Sequence, residues 1–291
     1  MNNHKATGIR RTNPTNGWTV WLGIVPFILF GLAFEFLPLL TIIRSSVTDG
    51  GAFTLEFFKQ ALDPIFLRAF RNSINLSATT AILGVVFGTL VAYAIITTKN
   101  KFLKNVMIAL SDVTTNFGGA PLAFAFIVIL GSTGIITLLL AEIGIKLYPD
   151  FRIYSISGLG IAYLYFQVPL MILLIIPSLL GLRKEWREAA MNLGATSTQY
   201  WLRVALPILF PSLLSSFLLL FANSFGAYAT AWTLTGSDVD LITIRIAALI
   251  RGEVQLKPQL ADALAIYSLI IMTSCVIGYL WLSSRSRRVR A

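Results

Sequence analysis

Few side chains in this 291-residue chain have the types and spacing that enzyme chemistry needs. Its one histidine, His4, lies in a polar amino-terminal tail and its one cysteine, Cys275, near the other end, which excludes a His-rich metal site and a disulfide framework. No Gly-Lys dipeptide occurs, so a phosphate-cradling loop of the form GxxxxGK followed by Ser or Thr is absent. What does stand out is Gly181 to Pro207, which reads Gly-Leu-Arg-Lys-Glu-Trp-Arg-Glu-Ala-Ala-Met-Asn-Leu-Gly-Ala-Thr-Ser-Thr-Gln-Tyr-Trp-Leu-Arg-Val-Ala-Leu-Pro. Arg183 to Leu193 holds good helix formers, Gly194 permits a left-handed turn, and Ser197 or Thr198 is placed to cap a second short helix. Pro207 marks the start of the next apolar run. The small side chains of Ala189, Ala190 and Gly194 allow another protein to approach closely.

The elements that must position this stretch are apolar. The chain is 56% hydrophobic and only 12% charged, against roughly a quarter charged in soluble proteins, which argues against a water-soluble enzyme. A bilayer core of about 30 Å takes about 20 mostly apolar helical residues. Six stretches meet that length: Trp18 to Ile43, Asn72 to Thr97, Val106 to Leu130, Ser155 to Leu180, Ile208 to Leu234 and Ala263 to Leu282. The first, with Pro26 and Pro38 implying kinks, is too long for a signal peptide, lacks a clear small-x-small cleavage site after it, and reads as a retained span. In the third, Gly131, Ser132 and Gly134 predict one span followed by a short amphipathic segment.

Charge orients the spans, because Lys and Arg collect on the cytoplasmic side. With six spans and the amino terminus inside, inner segments hold fourteen of the 23 cations: Lys5, Arg10, Arg11, Lys99, Lys101, Lys104, Arg183, Lys184, Arg187, Arg203, Arg285, Arg287, Arg288 and Arg290. They hold two acids, Glu185 and Glu188, whereas the outer segments balance nine cations with nine acids. The expected fold is an all-α membrane protein with six transmembrane helices and both termini cytoplasmic. The net charge of +10 is scattered between apolar blocks, not gathered in a stripe with interleaved aromatics, so nucleic acid is not an expected partner; the lipid bilayer is.

Glu188-Ala189-Ala190, three residues, Gly194, nine residues, then Val204-Ala205-Leu206-Pro207 resembles the EAA loop of permease subunits in binding-protein-dependent type I ABC importers, the MetI-like superfamily. The family pattern ends Ile-x-Leu-Pro, and Val204 is the one departure. The resemblance runs from about Asn72 to the end of the chain. It implies a type I importer permease in a bacterial plasma or inner membrane, divided into residues 1–71 (tail, first span and outer loop), a five-helix core over 72–282 with the coupling loop at 183–207, and a basic tail over 283–291. It also implies that Glu188, Ala189, Ala190 and Gly194 dock in a groove of an ATPase, with Leu206 and Pro207 fixing the join to the membrane helix. The implied partners are a dimer of ATP-binding subunits, a second permease half, identical or related, and an extracytoplasmic solute-binding protein. This chain would bind no cofactor, ATP being used by the partner.

Candidates for a solute pathway are fewer. Asp112, within the third block, either lines a pathway or packs helices through hydrogen bonds with Ser111, Thr114, Thr115 or Asn116, of which Asn116 is also a pathway candidate. Glu35 either snorkels or meets Arg44. The run Asn223-Ser224-Phe225-Gly226-Ala227-Tyr228-Ala229-Thr230-Ala231-Trp232 mixes polar, aromatic and small residues, so Asn223, Tyr228 and Thr230 either line a wet passage or serve packing and an interfacial belt. Gly84 and Gly88 form a GxxxG match read as packing. Phe221 to Gly236 looks like permeases for polyamines, ferric ion or aminoethylphosphonate, and a polyamine-type cargo is one expectation. The rival reading is an ion-coupled secondary transporter, which predicts paired intramembrane charges and repeated halves; a membrane enzyme predicts convergent catalytic groups near one interface.

Overall fold

A computed structural model describes the backbone of residues 17–253 and 255–288 and the side chains of residues 24–253 and 255–284. The tail carrying His4, Lys5, Arg10 and Arg11, residue Arg290, and the side chains of Arg285, Arg287 and Arg288 lie outside the described residues.

The chain is helical almost throughout. Helix α1 (Gly17–Gly31), a π-helical segment (Leu32–Phe36) and α2 (Leu37–Ser46) run on without interruption. A two-residue hairpin, β1 (Thr48–Asp49) with β2 (Ala52–Phe53), pairs Thr48 with Phe53 across Gly50 and Gly51. There follow α3 (Glu56–Gln60), α4 (Pro64–Thr97), α5 (Lys101–Asn116), α6 (Gly119–Leu130), α7 (Ile135–Glu142), α8 (Ile156–Leu180), α9 (Lys184–Asn192) and α10 (Ser197–Tyr200). A second π-helical segment (Trp201–Ala205) leads into α11 (Leu206–Phe225), then α12 (Tyr228–Thr235), α13 (Ile242–Arg251) and α14 (Pro258–Arg288).

Among the described residues, six helical stretches are long and apolar enough to cross a membrane: Ile24–Ser46, Pro64–Thr97, Gly119–Glu142, Ile156–Leu180, Ser197–Phe225 and Pro258–Ser284. Their lipid-facing character shows in the many exposed large apolar side chains, Phe27, Phe30, Phe34, Leu90, Phe124 and Ile277 among them, a surface that water would not tolerate on a monomer. Several boundaries differ from the sequence reading: the fifth span runs Ser197–Phe225 instead of Ile208 to Leu234, and the sixth starts at Pro258 instead of Ala263. Helix α4 starts at Pro64, not Asn72, because Pro at the first helical turn needs no intrahelical donor. Its 34 residues span about 51 Å at about 1.5 Å per residue.

The third block, expected as one helix from Val106 to Leu130, is broken. Helix α5 stops at Asn116, Phe117 and Gly118 are extended, and Gly119, the first residue of α6, takes φ +69, a left-handed value open to glycine. The two pieces pack at different heights. Met107 and Ile108 of α5 join a cluster with Ala92, Ile95, Ile175 and Leu179, whereas Leu122 and Ala123 of α6 join one with Leu159, Ala162, Tyr163, Ala231 and Leu234. Together α5 and α6 therefore run the height of α8 with a break part-way. Helix α7, beyond Gly131 and Gly134, is apolar instead of the amphipathic segment expected.

The core of the bundle is α4 against α8 and α11 against α14, with α11 also touching α4 and α8. Helix α4 permits this with small buried residues at Ala69, Ser73, Ser77, Ala81, Gly84, Gly88 and Ala92. A Cβ on Gly88 would stand 2.5 Å from Met171 Cβ and 2.9 Å from the Val168 carbonyl, so the GxxxG pair is a packing surface for α8. The first span lies outside this core, with α2 against α14. Glu35 is exposed in the π segment and makes no ion pair with Arg44; nine residues of helix keep the two apart by about 13 Å.

Candidate coupling loop and solute pathway

The stretch Arg183 to Ala205 forms a knob at one end of the bundle. Helix α9 has no buried residue. It ends where Gly194 takes φ +84, donating its N–H to the Met191 carbonyl while Ala195 donates to Ala190, the paired bonds of a Schellman turn. Glu188 and Ala189 are exposed and Ala190 is half-buried. Leu193 is 88% exposed and Met191 44%, an apolar tip that the described residues leave largely open, and a Cβ on Gly194 would meet no described atom within 4 Å. Glu188 forms no ion pair with Lys184; among the described residues the ion pairs are Arg245–Asp240 and Arg251–Glu253.

The cap of α10 is Thr196, in place of Ser197 or Thr198. Thr196 accepts from the Gln199 N–H at 3.2 Å, and Gln199 Oε1 accepts from the Thr196 N–H at 2.8 Å. This reciprocal box needs Gln or Glu three residues on, which Thr196 has and Ser197 lacks. From there the helix runs unbroken through the π segment and Leu206-Pro207 to Phe225, so Pro207 sits inside a helix instead of starting one. Buried Tyr200 and half-buried Trp201 anchor its base, with Trp201 packed edge-on against Tyr93 of α4 at 5.0 Å between centroids.

At the far end of that helix a second break faces the first. Helix α11 stops at Phe225, and Gly226-Ala227 turn the chain into α12. The buried Thr230 hydroxyl accepts from the Gly119 N–H at 3.0 Å and lies 3.3 Å from the Gly119 carbonyl, tying the α11–α12 break to the α5–α6 break. Tyr163 of α8 donates to the Ala227 carbonyl at 2.8 Å. One turn along α8, fully buried Gln167 donates to Thr80 Oγ1 at 3.2 Å, and Thr80 lies 3.1 Å from Ser224 Oγ. Helix α8 thus holds the Ala227 side of the α11–α12 break directly and the Ser224 side through Thr80 of α4.

Between the two breaks lies a cavity of about 410 Å³ lined by Thr115, Gly118, Gly119, Phe166, Asn223, Gly226, Ala227, Tyr228, Ala229 and Thr230. It gathers three of the residues singled out in the sequence, Asn223, Tyr228 and Thr230. Asp112 and Asn116 are exposed residues of α5 outside this lining, and Asn116 Nδ2 donates to the Asp112 backbone carbonyl at 2.9 Å. Ser111, Thr114 and Thr115 each return a hydroxyl to a carbonyl one turn back on α5. Sequence reasoning missed Thr115, Gly119, Phe166 and the bracing pair Tyr163 and Gln167. The adjacent glycines Gly118 and Gly119 within an apolar run were the available signal for the break.

The profile of the family described as "Binding-protein-dependent transport system inner membrane component" matches residues 84–290, most of the chain and all of the loop and cavity just described. This chain belongs to that family. As such an inner membrane component, it is a multi-pass membrane protein whose family is a membrane permease, not a catalytic domain. It is 27% identical over 277 residues to the "Ferric transport system permease protein FbpB" of Actinobacillus pleuropneumoniae, covering 91% of this chain and 38% of that protein. It is 23% identical over 282 residues to "Sulfate permease 2, chloroplastic" of Chlamydomonas reinhardtii, covering 96% and 72%. With the "Spermidine/putrescine transport system permease protein PotB" of Escherichia coli it shares 24% over 226 residues, covering 75% and 82%. The permease fold is also that of a chain in a bacterial ABC transporter involved in alginate import, at a TM-score of 0.70 and 18% identity over 94% of this chain and 96% of that one. The MetNI methionine ABC transporter, inward facing, gives a TM-score of 0.53 and 14% identity over 77% and 94%.

Proposed function

We propose that this permease forms one half of the translocation pathway of an ATP-driven importer. One subunit of an ATPase dimer docks on the α9–Gly194–α10 knob, a second permease half, identical or related, completes the passage and takes the other, and an extracytoplasmic binding protein delivers a small solute. Both chain ends then lie on the ATPase side, and ATP is bound and hydrolysed by the partner alone. The observation that carries this reading is mechanical: the exposed knob is joined to the cavity by one helix, Ser197–Phe225. A rigid helix transmits a rigid-body push, and this one ends where the wall of the cavity begins. Glu188, Ala189, Ala190 and Gly194 supply the docking surface, and Leu206 and Pro207 lie in the connecting helix.

For the cargo we take a polyamine-type solute. The cavity wall offers hydroxyls, the Asn223 amide and aromatic rings, and no lysine or arginine lines it. An ion-coupled secondary transporter is the alternative, and it needs no ATPase.

Ala189→Trp tests the docking role. Ala189 is exposed on α9, and its helical backbone avoids the strain that φ +84 would impose on a side chain at Gly194, so the variant inserts and folds, yet in the assembled complex it lowers solute-stimulated ATP hydrolysis by about tenfold, a loss of about 1.4 kcal/mol. Unchanged coupling overturns the role, and solute uptake by the purified chain alone in liposomes overturns the importer reading.

A further inference from the structure

Beside the cavity, at the end of the bundle away from the knob, three side chains from two elements surround a positive charge. Tyr228 and Trp232, one turn apart on α12, stack with ring centroids 6.2 Å apart and planes at 21°. Helix α13 ends at Arg251, and Gly252 at φ +70 reverses the chain so that the Glu253 N–H returns to the Ala248 carbonyl. That turn sets the Glu253 carboxylate 3.6 Å from the Arg251 guanidinium. The guanidinium itself lies over both rings, 5.7 Å from the Tyr228 centroid and 5.1 Å from that of Trp232.

Two aromatic faces and a carboxylate are the chemistry that recognises an organic cation. Here the cation is the chain's own. It is not locked in: the Arg251 and Glu253 side chains are 48% and 36% exposed, and an ion pair so open to water holds weakly. An anion arriving at this corner would meet a carboxylate and the negative faces of two rings, so the guanidinium charge is already answered. Tyr228 also lines the cavity, and its hydroxyl is buried with no hydrogen-bond partner, so the corner and the passage share a wall.

We propose that Tyr228, Trp232 and Glu253 form a binding site for an organic cation, a primary ammonium or guanidinium, next to the pathway, and that Arg251 occupies it as a tethered plug which an arriving cation displaces. The site rests on the pathway reading above and assigns it a ligand chemistry.

Putrescine titration into the assembled transporter, without its binding protein, tests it. Arg251→Gln empties the corner, and putrescine binds about fivefold more tightly than to the parent. Arg251→Lys keeps a weaker plug, because an ammonium stacks less well than a guanidinium, and gives about a twofold gain, which serves as the reading should the glutamine variant fail to assemble. Adding Trp232→Ala to either variant abolishes the gain, and sulfate shows none. No tightening in the variants that assemble, a gain that survives Trp232→Ala, or an equal gain for sulfate overturns the site. Binding-protein-stimulated ATP hydrolysis is measured on the same samples. Stimulation without cation binding strikes this inference alone, and loss of stimulation in the parent complex strikes the importer reading.

Discussion

Thr230 shows how one hydroxyl holds two helix breaks in register. Its Oγ1 accepts from the Gly119 N–H, a group that α6 leaves unpaired at its first turn, and lies within hydrogen-bond reach of the Gly119 carbonyl. Thr230→Val keeps the shape and removes both contacts, leaving the half-buried Gly119 N–H without this partner. We expect a loss of about 1–3 kcal/mol, read as a lower Tm of the solubilised protein, with Thr230→Ser close to the parent; an unchanged Tm in the valine variant contradicts the tie. Asn223, Tyr228 and Thr230 were legible in the sequence because polar groups within an apolar run need a reason. Gly119, which Thr230 touches, and Phe166, which shares the cavity wall, were not placed beside them, since no local rule connects residues so far apart in the chain.

At the level of elements, the two π-helical segments share a cause. Each is closed by a residue that donates five residues back, Leu37 to Leu32 and Leu206 to Trp201, and each closing residue is followed by proline, Pro38 or Pro207. Proline cannot donate to the carbonyl four residues back and its ring crowds that carbonyl, so the widened turn just before it relieves the conflict without stopping the helix. A local change of pitch thus stands in place of the kink expected at Pro38 and the helix start expected at Pro207, and at Pro207 the helix continues instead of starting. Helix α4 against α8 offers a graded test. The nearest atoms to a Cβ on Gly88 are Met171 Cβ at 2.5 Å, Met171 Cγ at 2.7 Å and the Val168 carbonyl oxygen at 2.9 Å, all on or close to the α8 backbone, whereas on Gly84 the first contact is the end of the Leu220 side chain at 2.9 Å. Gly88→Ala should cost about 1–3 kcal/mol and Gly84→Ala less, seen as the larger drop in Tm for Gly88→Ala; the opposite order refutes this packing.

Across the whole molecule, the knob and the two breaks lie at different depths of one bundle, and the proposed function needs the knob on the ATPase side. Ser197 and Asp238 are both exposed. In a Cys275→Ser background, Ser197→Cys should be labelled by an impermeant maleimide from the cytoplasmic face only and Asp238→Cys from the opposite face only. Labelling of both from one face rules out the proposed six-span orientation. The charge count behind that orientation rests partly on terminal cations outside the described residues, so labelling measures the arrangement directly.

The sequence by itself determined what short-range chemistry controls. Runs of apolar residues set the number of membrane-crossing helices, because hydrocarbon tolerates no unpaired backbone, and the Glu-Ala-Ala, Gly194 and Leu206-Pro207 spacing marked the loop through its own helix formers, turn and proline. Tertiary structure alone decided where Gly119 meets Thr230, how Tyr163 and Gln167 brace the α11–α12 break, and that Arg251 settles on Tyr228 and Trp232. Those pairings are fixed by how closely α4, α8 and α11 approach and by where the chain turns back after α13, and such distances depend on all the packed side chains at once, not on any one stretch of sequence.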